Sequence, residues 1–330
     1  MVTSRIFFFA LLSCLQSCQG IPKEDLALAT RLENTSKADL LIFKLRDDKG
    51  HGMDCLDVFQ ARSTKNGACF GVSHTLRNGV FSVHLSESID LKNWRHLVEL
   101  DQHGSQATVH QADDGTFLLA YEKDAPNSCW IRLRSYPDLK ALRSGKHDRE
   151  IDLPRTLAPT AEGTPSFETV EIKKGHLSTS KIRLRFHYYK RAQVDQLASG
   201  TLTNFERWEA SPSRALNQAF IKRGANGNIG DRSKFIWKDR SFYLQEVQGS
   251  RGNWGTWGLF LCDSDGFPLK KLDLKTPGKS IAFANAAVSK IRDQSGKELL
   301  ILTAFLHSKG SSPQESGQML VAFKTGEGAG

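Results

Sequence analysis

The chain has 330 residues, of which 25% are charged and 39% hydrophobic, and its formal net charge at pH 7 is +9. This is the composition of a soluble globular protein, long enough for one large β domain or two ordinary domains. No low-complexity tract and no acidic or basic tail is present, so the charge alone points to no partner.

The first residues have the order of a secretory signal peptide: MVTSR is basic, IFFFALL is apolar, and SCLQSCQG is small and polar. The expectation is a leader over residues 1–20, cleaved near Cys18-Gln19-Gly20, and a secreted, extracellular chain with no membrane contact once the leader is gone. Alternatives are an apolar first strand or lipidation at Cys14 or Cys18, for which Leu-Gln-Ser-Cys is a poor motif. Cys55, Cys69, Cys129 and Cys262 then remain, enough for two disulfides. Cys55 and Cys69 would close a local loop; Cys129 and Cys262 would form a long-range bridge or stay as two buried thiols. Asn34-Thr35-Ser36 is a glycosylation acceptor. No Cys-x-x-Cys and no His-Glu-x-x-His occurs, so no zinc or redox motif is present and no metal site is expected.

From there the chain reads as short alternating runs between Gly, Asn, Asp and Ser clusters, without clear amphipathic helical windows. The first unit is ADLLIFKLRDD, a loop rich in Gly, Cys and Asp, and GVFSVHLSESIDLKNWRHLVEL. ATVHQADDGTFLLAYEKD and CWIRLRSYPDLKAL make the second, with a turn at Asp113-Asp114-Gly115. The third runs GTPSFETVEI, IRLRFHYYK, QLASGTLTNFERWEA. GDRSKFIWKDRSFYLQEVQ and WGLFLCDSDGFPLKKLDL form the fourth. FANAAVSKIRDQSGKELLILTAFLH and GQMLVAFKT form the fifth. Each of the first four units carries a polar corner: SESIDLKNW, RSYPDLKAL, SGTLTNFERW and CDSDGFPLKKL. The units recur every 50–60 residues or so, the spacing of a four-stranded propeller blade with long loops. The fold expected is all-β: a monomeric five-bladed β-propeller of four-stranded antiparallel blades, a single domain over residues 21–330. In the corners, Asp90 ties the turn and Trp94 and Trp208 pack the blades. The basic strand Lys181–Arg191 alternates apolar and charged residues and carries no nucleic-acid motif, so it reads as a solvated or acid-ligand-facing strand.

The corner SESIDLKNW resembles the Ser-x-Asp-Leu-x-x-Trp corner of five-bladed propeller glycoside hydrolases, the superfamily of arabinanase- and xylosidase-like family 43 and invertase-like family 32. DDGTFLLAYE is similar to the innermost strands of their blades, and Glu162-Gly163-Thr164-Pro165 to the Glu-Gly-Pro stretch that places their acid catalyst. The resemblance covers the blade pattern of residues 35–325 or so. It implies a carbohydrate substrate and no cofactor, with room for a structural Ca²⁺ in the central channel. Two departures stand out: no Asp-Pro occurs anywhere to supply the family's base or nucleophile, and one extra residue separates Glu162 from its proline.

In a propeller, polar residues just before the innermost strands converge on the mouth of the channel. Two carboxyls facing each other there can cleave a glycosidic bond, one protonated at the leaving oxygen and one ionised opposite it. Glu162 or Glu168 is the candidate acid, Asp231 the base or tuning carboxylate, and Asp54 the next partner. His103, Gln106, His187, Arg232 and Asn285 are candidate substrate-binding groups, and Trp254 in GSRGNWGTWGLF a sugar-stacking indole. A non-catalytic, lectin-like or interaction propeller with a degenerate site is the alternative.

Overall fold

The computed structural model describes residues 21–64, 67–173, 176–189, 194–230 and 233–325. The expected leader, with Cys14 and Cys18, lies outside the described residues, as do Asp231 and Arg232. The chain begins with helix α1 (Lys23–Glu33) and strand β1 (Leu40–Phe43), and continues almost entirely as strands. They group into antiparallel ladders of four. The first is β2 (Asp54–Phe59), β3 (Cys69–Arg77), β4 (Val80–Ser88) and β5 (Arg95–Gln102). The second is β6 (Gly104–Gln111), β7 (Phe117–Ala125), β8 (Ser128–Tyr136) and β9 (Arg149–Asp152), with short helix α2 (Leu139–Arg143) before β9. The third is β10 (Ala161–Lys173), β11 (His176–Tyr189), β12 (Gln196–Thr203) and β13 (Arg207–Pro212). Helix α3 (Arg214–Lys222) leads to the fourth: β14 (Ser233–Trp237), β15 (Arg240–Gln248), β16 (Trp257–Cys262) and β17 (Pro268–Lys271). β18 (Phe283–Arg292), β19 (Glu298–Leu306) and β20 (Gly317–Lys324) make the last, with β1 as its outer strand. The second and third ladders touch through one parallel bridge, Ala161 with Cys129.

That last pairing corrects the expected first unit. ADLLIFKLRDD does not open the first ladder: Leu40 to Phe43 pair with Ala322 to Met319 of β20, joining the chain's two ends in one sheet. The helices also depart from the expectation. In α1, Leu28, Ala29 and Leu32 lie on one buried face and pack against Leu244, Leu261, Leu302 and Val321. In α3, Leu216, Asn217 and Phe220 are buried, and the Asn217 amide accepts from Leu197 N at 2.8 Å and donates to Leu197 O at 3.0 Å. Both helices are short and take much of their stability from docking; α3 nevertheless carries a one-sided apolar face in its sequence, which the expectation of no helical windows passed over.

The core explains the continuous apolar runs. Each ladder buries both faces, so alternate residues of one strand serve two interfaces. Along β7, Phe117, Leu119 and Tyr121 pack toward the first ladder, and Leu118 and Ala120 toward the third. Along β19, Leu300, Leu302 and Leu306 pack toward the fourth, and Leu299 and Ile301 toward the first. The described core clusters thus lie between successive ladders, and one joins the last ladder to the first.

The corners fall between the third and fourth strands of the first four ladders. In the first, Asp90 Oδ1 accepts from Lys92 N and Asn93 N at 2.9 and 2.8 Å, Ser88 Oγ accepts from Leu91 N at 2.9 Å, and Trp94 Nε1 donates to Leu91 O at 3.0 Å. The indole of Trp94 is buried against Gly71, and that of Trp208 against Gly200.

The disulfides are a correction. The four cysteines among the described residues, Cys55, Cys69, Cys129 and Cys262, are buried and form no disulfide with one another. Cys55 lies beside Asp54, which pairs with His74, whereas Cys69 follows four residues before Ser73 at the other end of the same hairpin. At ~3.3 Å per residue that is more than ~10 Å, beyond the ~7 Å reach of a disulfide. Cys129 and Cys262 belong to different ladders. Asn34 donates its side-chain amide to Thr30 O at 2.9 Å. Among the described residues no helix is long and apolar enough to cross a membrane.

A methyl group on Gly200 would overlap the Trp208 ring. Gly200→Ala is therefore expected to lower the unfolding free energy by about 1–3 kcal/mol, read as a shift of the urea midpoint with unchanged slope; an unaltered midpoint would mean that the indole does not pack there.

Candidate functional site

Four first strands bulge at the same level. In β2, residues 55 and 56 stand opposite one residue between the pairs Asp54–His74 and Asp57–Val72. The same two-to-one slip lies between Ser105–Glu122 and Thr108–Ala120, between Gly163–His187 and Ser166–Arg185, and between Ala284–Phe305 and Ala287–Thr303. The first residue of each bulge is left-handed although none is glycine: Cys55 (φ 54°), Gln106 (φ 56°), Thr164 (φ 46°) and Asn285 (φ 48°). Such residues turn the strand and aim side chains at its rim. Their amides, removed from their own ladder, are met from the ladder before. Gln106 N donates to His74 Nδ1 at 3.1 Å, Thr164 N to Glu122 Oε2 at 3.1 Å, and Asn285 N to Glu246 Oε2. For the first strand, Thr303 Oγ1 donates to Leu56 O at 2.6 Å.

This geometry locates the residues expected at the mouth. Gln106 and Asn285 are bulge residues. His187 occupies on β11 the register opposite the bulge that His74 and Glu122 hold on their own strands. Gln106 Oε1 and His187 Nδ1 are buried without a hydrogen-bond partner among the described residues. His103 sits just before β6, exposed, and its carbonyl accepts from Asp124 N at 2.8 Å. Asp54 immediately precedes the first bulge. Burial lifts its carboxyl to a pKa of about 6, against the pull of Arg46. Trp254 follows the end of β15, on the same side of the ladders as Glu246. Its indole is 48% exposed and lies 5.0 Å from the His307 ring, which emerges from the end of β19.

The two candidate acids are engaged elsewhere. Glu162 is 2% exposed, and its Oε1 accepts from Leu157 N and from Ala158 N at 3.0 Å, so it ties down the loop ahead of β10. Burial raises its pKa and those amides oppose the rise. Glu168 is paired with the Arg183 guanidinium, lies 3.5 Å from that of Arg185, and accepts from Tyr243 Oη at 3.3 Å. It belongs to the contact between the third and fourth ladders and is neutralised there. Sequence reasoning missed Glu122 and Glu246, whose signal is an acid near the end of an apolar strand (AYEKD, LQEVQ). It also missed Asp124, which burial and Glu122 raise to a pKa of about 7.

Beyond the bulges, the first strands β2, β6, β10, β14 and β18 surround one cavity of about 360 Å³. Its polar lining includes Asp57, His110, Ser166, Lys234 and Lys290. Asp57 accepts from Thr108 Oγ1 at 2.9 Å. One engaged carboxylate beside two lysines does not match the six to eight oxygens that Ca²⁺ takes, so the described lining does not fit the channel Ca²⁺. Away from the axis, His51, His84 and His96 bring a ring nitrogen each within 4.8 Å of one another.

No family model matches the chain, and neither does any curated protein. Solved structures do. The catalytic domain of the Coprinopsis cinerea GH62 alpha-L-arabinofuranosidase superposes with a TM-score of 0.52 at 10% identity, over 86% of this chain and 94% of that one. The alpha-L-arabinofuranosidase from Lactobacillus brevis gives 0.51 at 9% identity, over 82% and 90%. The xylan beta-1,4-xylosidase from Bacillus halodurans gives 0.52 at 13% identity, over 82% of this chain and 52% of that larger one. At such identities the likeness is one of fold, and the expected resemblance to the propeller glycoside hydrolases holds at that level.

Glu122→Ala is expected to leave the Thr164 amide buried and unpaired, at a cost of about 1–3 kcal/mol. A lowered thermal midpoint, with faster amide exchange around residue 164, is the expected outcome; unchanged exchange there would show that the carboxylate does not hold the bulge.

Proposed function

We propose that the protein is a secreted, monomeric five-bladed propeller of the glycoside-hydrolase type, which holds a sugar at the bulged end of its first strands. Five antiparallel ladders in a closed succession of cores support the blade count, and the basic-apolar-small order of residues 1–20 supports export. The ligand face is built from Gln106 and His187, whose unpaired atoms suit sugar hydroxyls, with Asn285, and from Trp254 as a half-exposed indole for the apolar face of a ring.

The observation that carries the catalytic part is Asp54. Its carboxyl makes no hydrogen bond or ion pair among the described residues, stands at the rim, and has a pKa of about 6. A carboxyl that keeps its proton up to about pH 6 is suited to a glycosidic leaving oxygen. Asp54 thus takes the role of proton donor, and Asp231, two residues ahead of β14 in sequence, is kept as the ionised partner. Glu162 and Glu168 are released from both roles by the groups that already bind them. Their engagement favours a second reading, a propeller that binds sugar without turnover.

Hydrolysis of arabinofuranosyl and xylosyl oligosaccharides, beside sugar binding by calorimetry, separates the readings. The acid role predicts activity falling as pH rises through about 6, and loss of activity in Asp54→Asn and Asp231→Asn. Because the folded pKa of Asp54 exceeds that of a free carboxyl, its ionised form costs stability above pH 6; Asp54→Asn should therefore raise the thermal midpoint at pH 7.5 and not at pH 4, which reports folding independently of activity. Full activity in both variants would sink the assignment, and binding without turnover by the unaltered protein, weakened by Trp254→Ala, would select the second reading.

A further inference from the structure

Three imidazoles from separate segments meet on the outer side of the first ladder. His84 comes from β4, His96 from the start of β5, and His51 from the loop that leads into β2. Their ring centroids lie 5.1, 5.2 and 5.3 Å apart. His84 Nδ1 and His96 Nε2 face each other at 3.1 Å, close to the ~3.3 Å between two ligand nitrogens on a tetrahedral ion with bonds of ~2.05 Å. His84 is 5% exposed, and its other nitrogen has no partner among the described residues, so the ring is held by nothing polar except the other imidazole.

The third ring is oriented from behind. Asp47 Oδ2 lies 2.9 Å from His51 Nδ1, and Asp47 Oδ1 accepts from Lys49 N and His51 N at 2.9 and 2.8 Å. The Asp47 side chain is 1% exposed, and this carboxylate fixes the ring with Nδ1 protonated and the Nε2 lone pair directed outward. A carboxylate behind a histidine in this way is the outer support of metal-binding imidazoles. At that lone pair stands a cationic group, Arg77 Nη1, at 2.9 Å. Arg77 is itself exposed to solvent.

We propose that His51, His84 and His96 form a binding site for a divalent transition metal of the zinc class, with Asp47 as its outer support and a fourth position open to solvent. Imidazole nitrogen is the donor preferred by zinc, copper, nickel and cobalt, and it does not suit calcium or magnesium. Arg77 occupies the His51 lone pair in the metal-free arrangement, and binding displaces it. The ion would tie the Asp47–Gly52 loop to the outer strands of the first ladder, two residues ahead of Asp54. This proposal stands apart from the sugar site and uses none of its residues.

The test is titration of the chelator-stripped full chain with Zn²⁺, and with Co²⁺ for its visible absorption. One ion per chain is expected, with a tetrahedral or five-coordinate Co²⁺ spectrum and a raised thermal midpoint. His96→Gln and His51→Ala should each abolish the spectrum while circular dichroism stays unchanged. Asp47→Asn should weaken binding by ~10–100-fold, and Arg77→Ala should tighten it. Absence of stoichiometric binding, or a spectrum that survives in the His51, His84, His96 triple variant, would overturn the proposal.

Discussion

Everything near the axis depends on a borrowed hydrogen bond. A first strand bulges through a residue held in the left-handed region, at a cost of the order of 1–3 kcal/mol for a residue other than glycine. Its amide then points away from its own ladder. At Thr164 and Asn285 a carboxylate of the neighbouring ladder takes that amide, a bond worth ~1.5–3 kcal/mol. The two magnitudes nearly cancel, so a bulge is tenable only where the preceding ladder is already docked. Local conformation and ladder packing are therefore one event.

The same economy sorts the carboxylates. Glu122 and Glu246 hold bulges, Glu162 holds a loop, and Glu168 is neutralised by arginines between two ladders. Asp54 and Asp124 differ from these in that burial raises both, to about 6 and about 7. Burial raises the Asp54 carboxyl despite the opposing charge of Arg46, and a desolvated acid of that kind is costly to fold around.

Some of this was legible in the chain and some was not, for physical reasons. The corner at Ser88–Trp94 could be read because its chemistry is local: one aspartate satisfies amides two and three residues on. The ladders could be read because strands buried on both faces are apolar throughout, as in β19. The bulges were hidden, since left-handed positions filled by Cys, Gln, Thr and Asn lack the glycine that would mark them; Gln106 and Asn285 were found only by their place before a strand. The engagement of the candidate acids Glu162 and Glu168 was hidden because their partners, backbone amides and arginines on another strand, leave no trace in spacing. His51, His84 and His96, 33 and 12 residues apart, form no motif, and only the pairing of β4 with β5 and the fold of one loop unite them.

The outer strand of the final sheet comes from the beginning of the chain. β1 finds its partner, β20, nearly the whole sequence later. A chain emerging from the ribosome carries Leu40–Phe43 as an unpaired apolar edge until its last strand is made. The sheet that pairs β1 with β20 can therefore form only once β20 is made, whereas the ladders between them can form earlier. A molecule clipped near its C-terminus would lose more than a strand. It would reopen the seam between the fifth and first ladders and uncover the apolar layer that α1 shields.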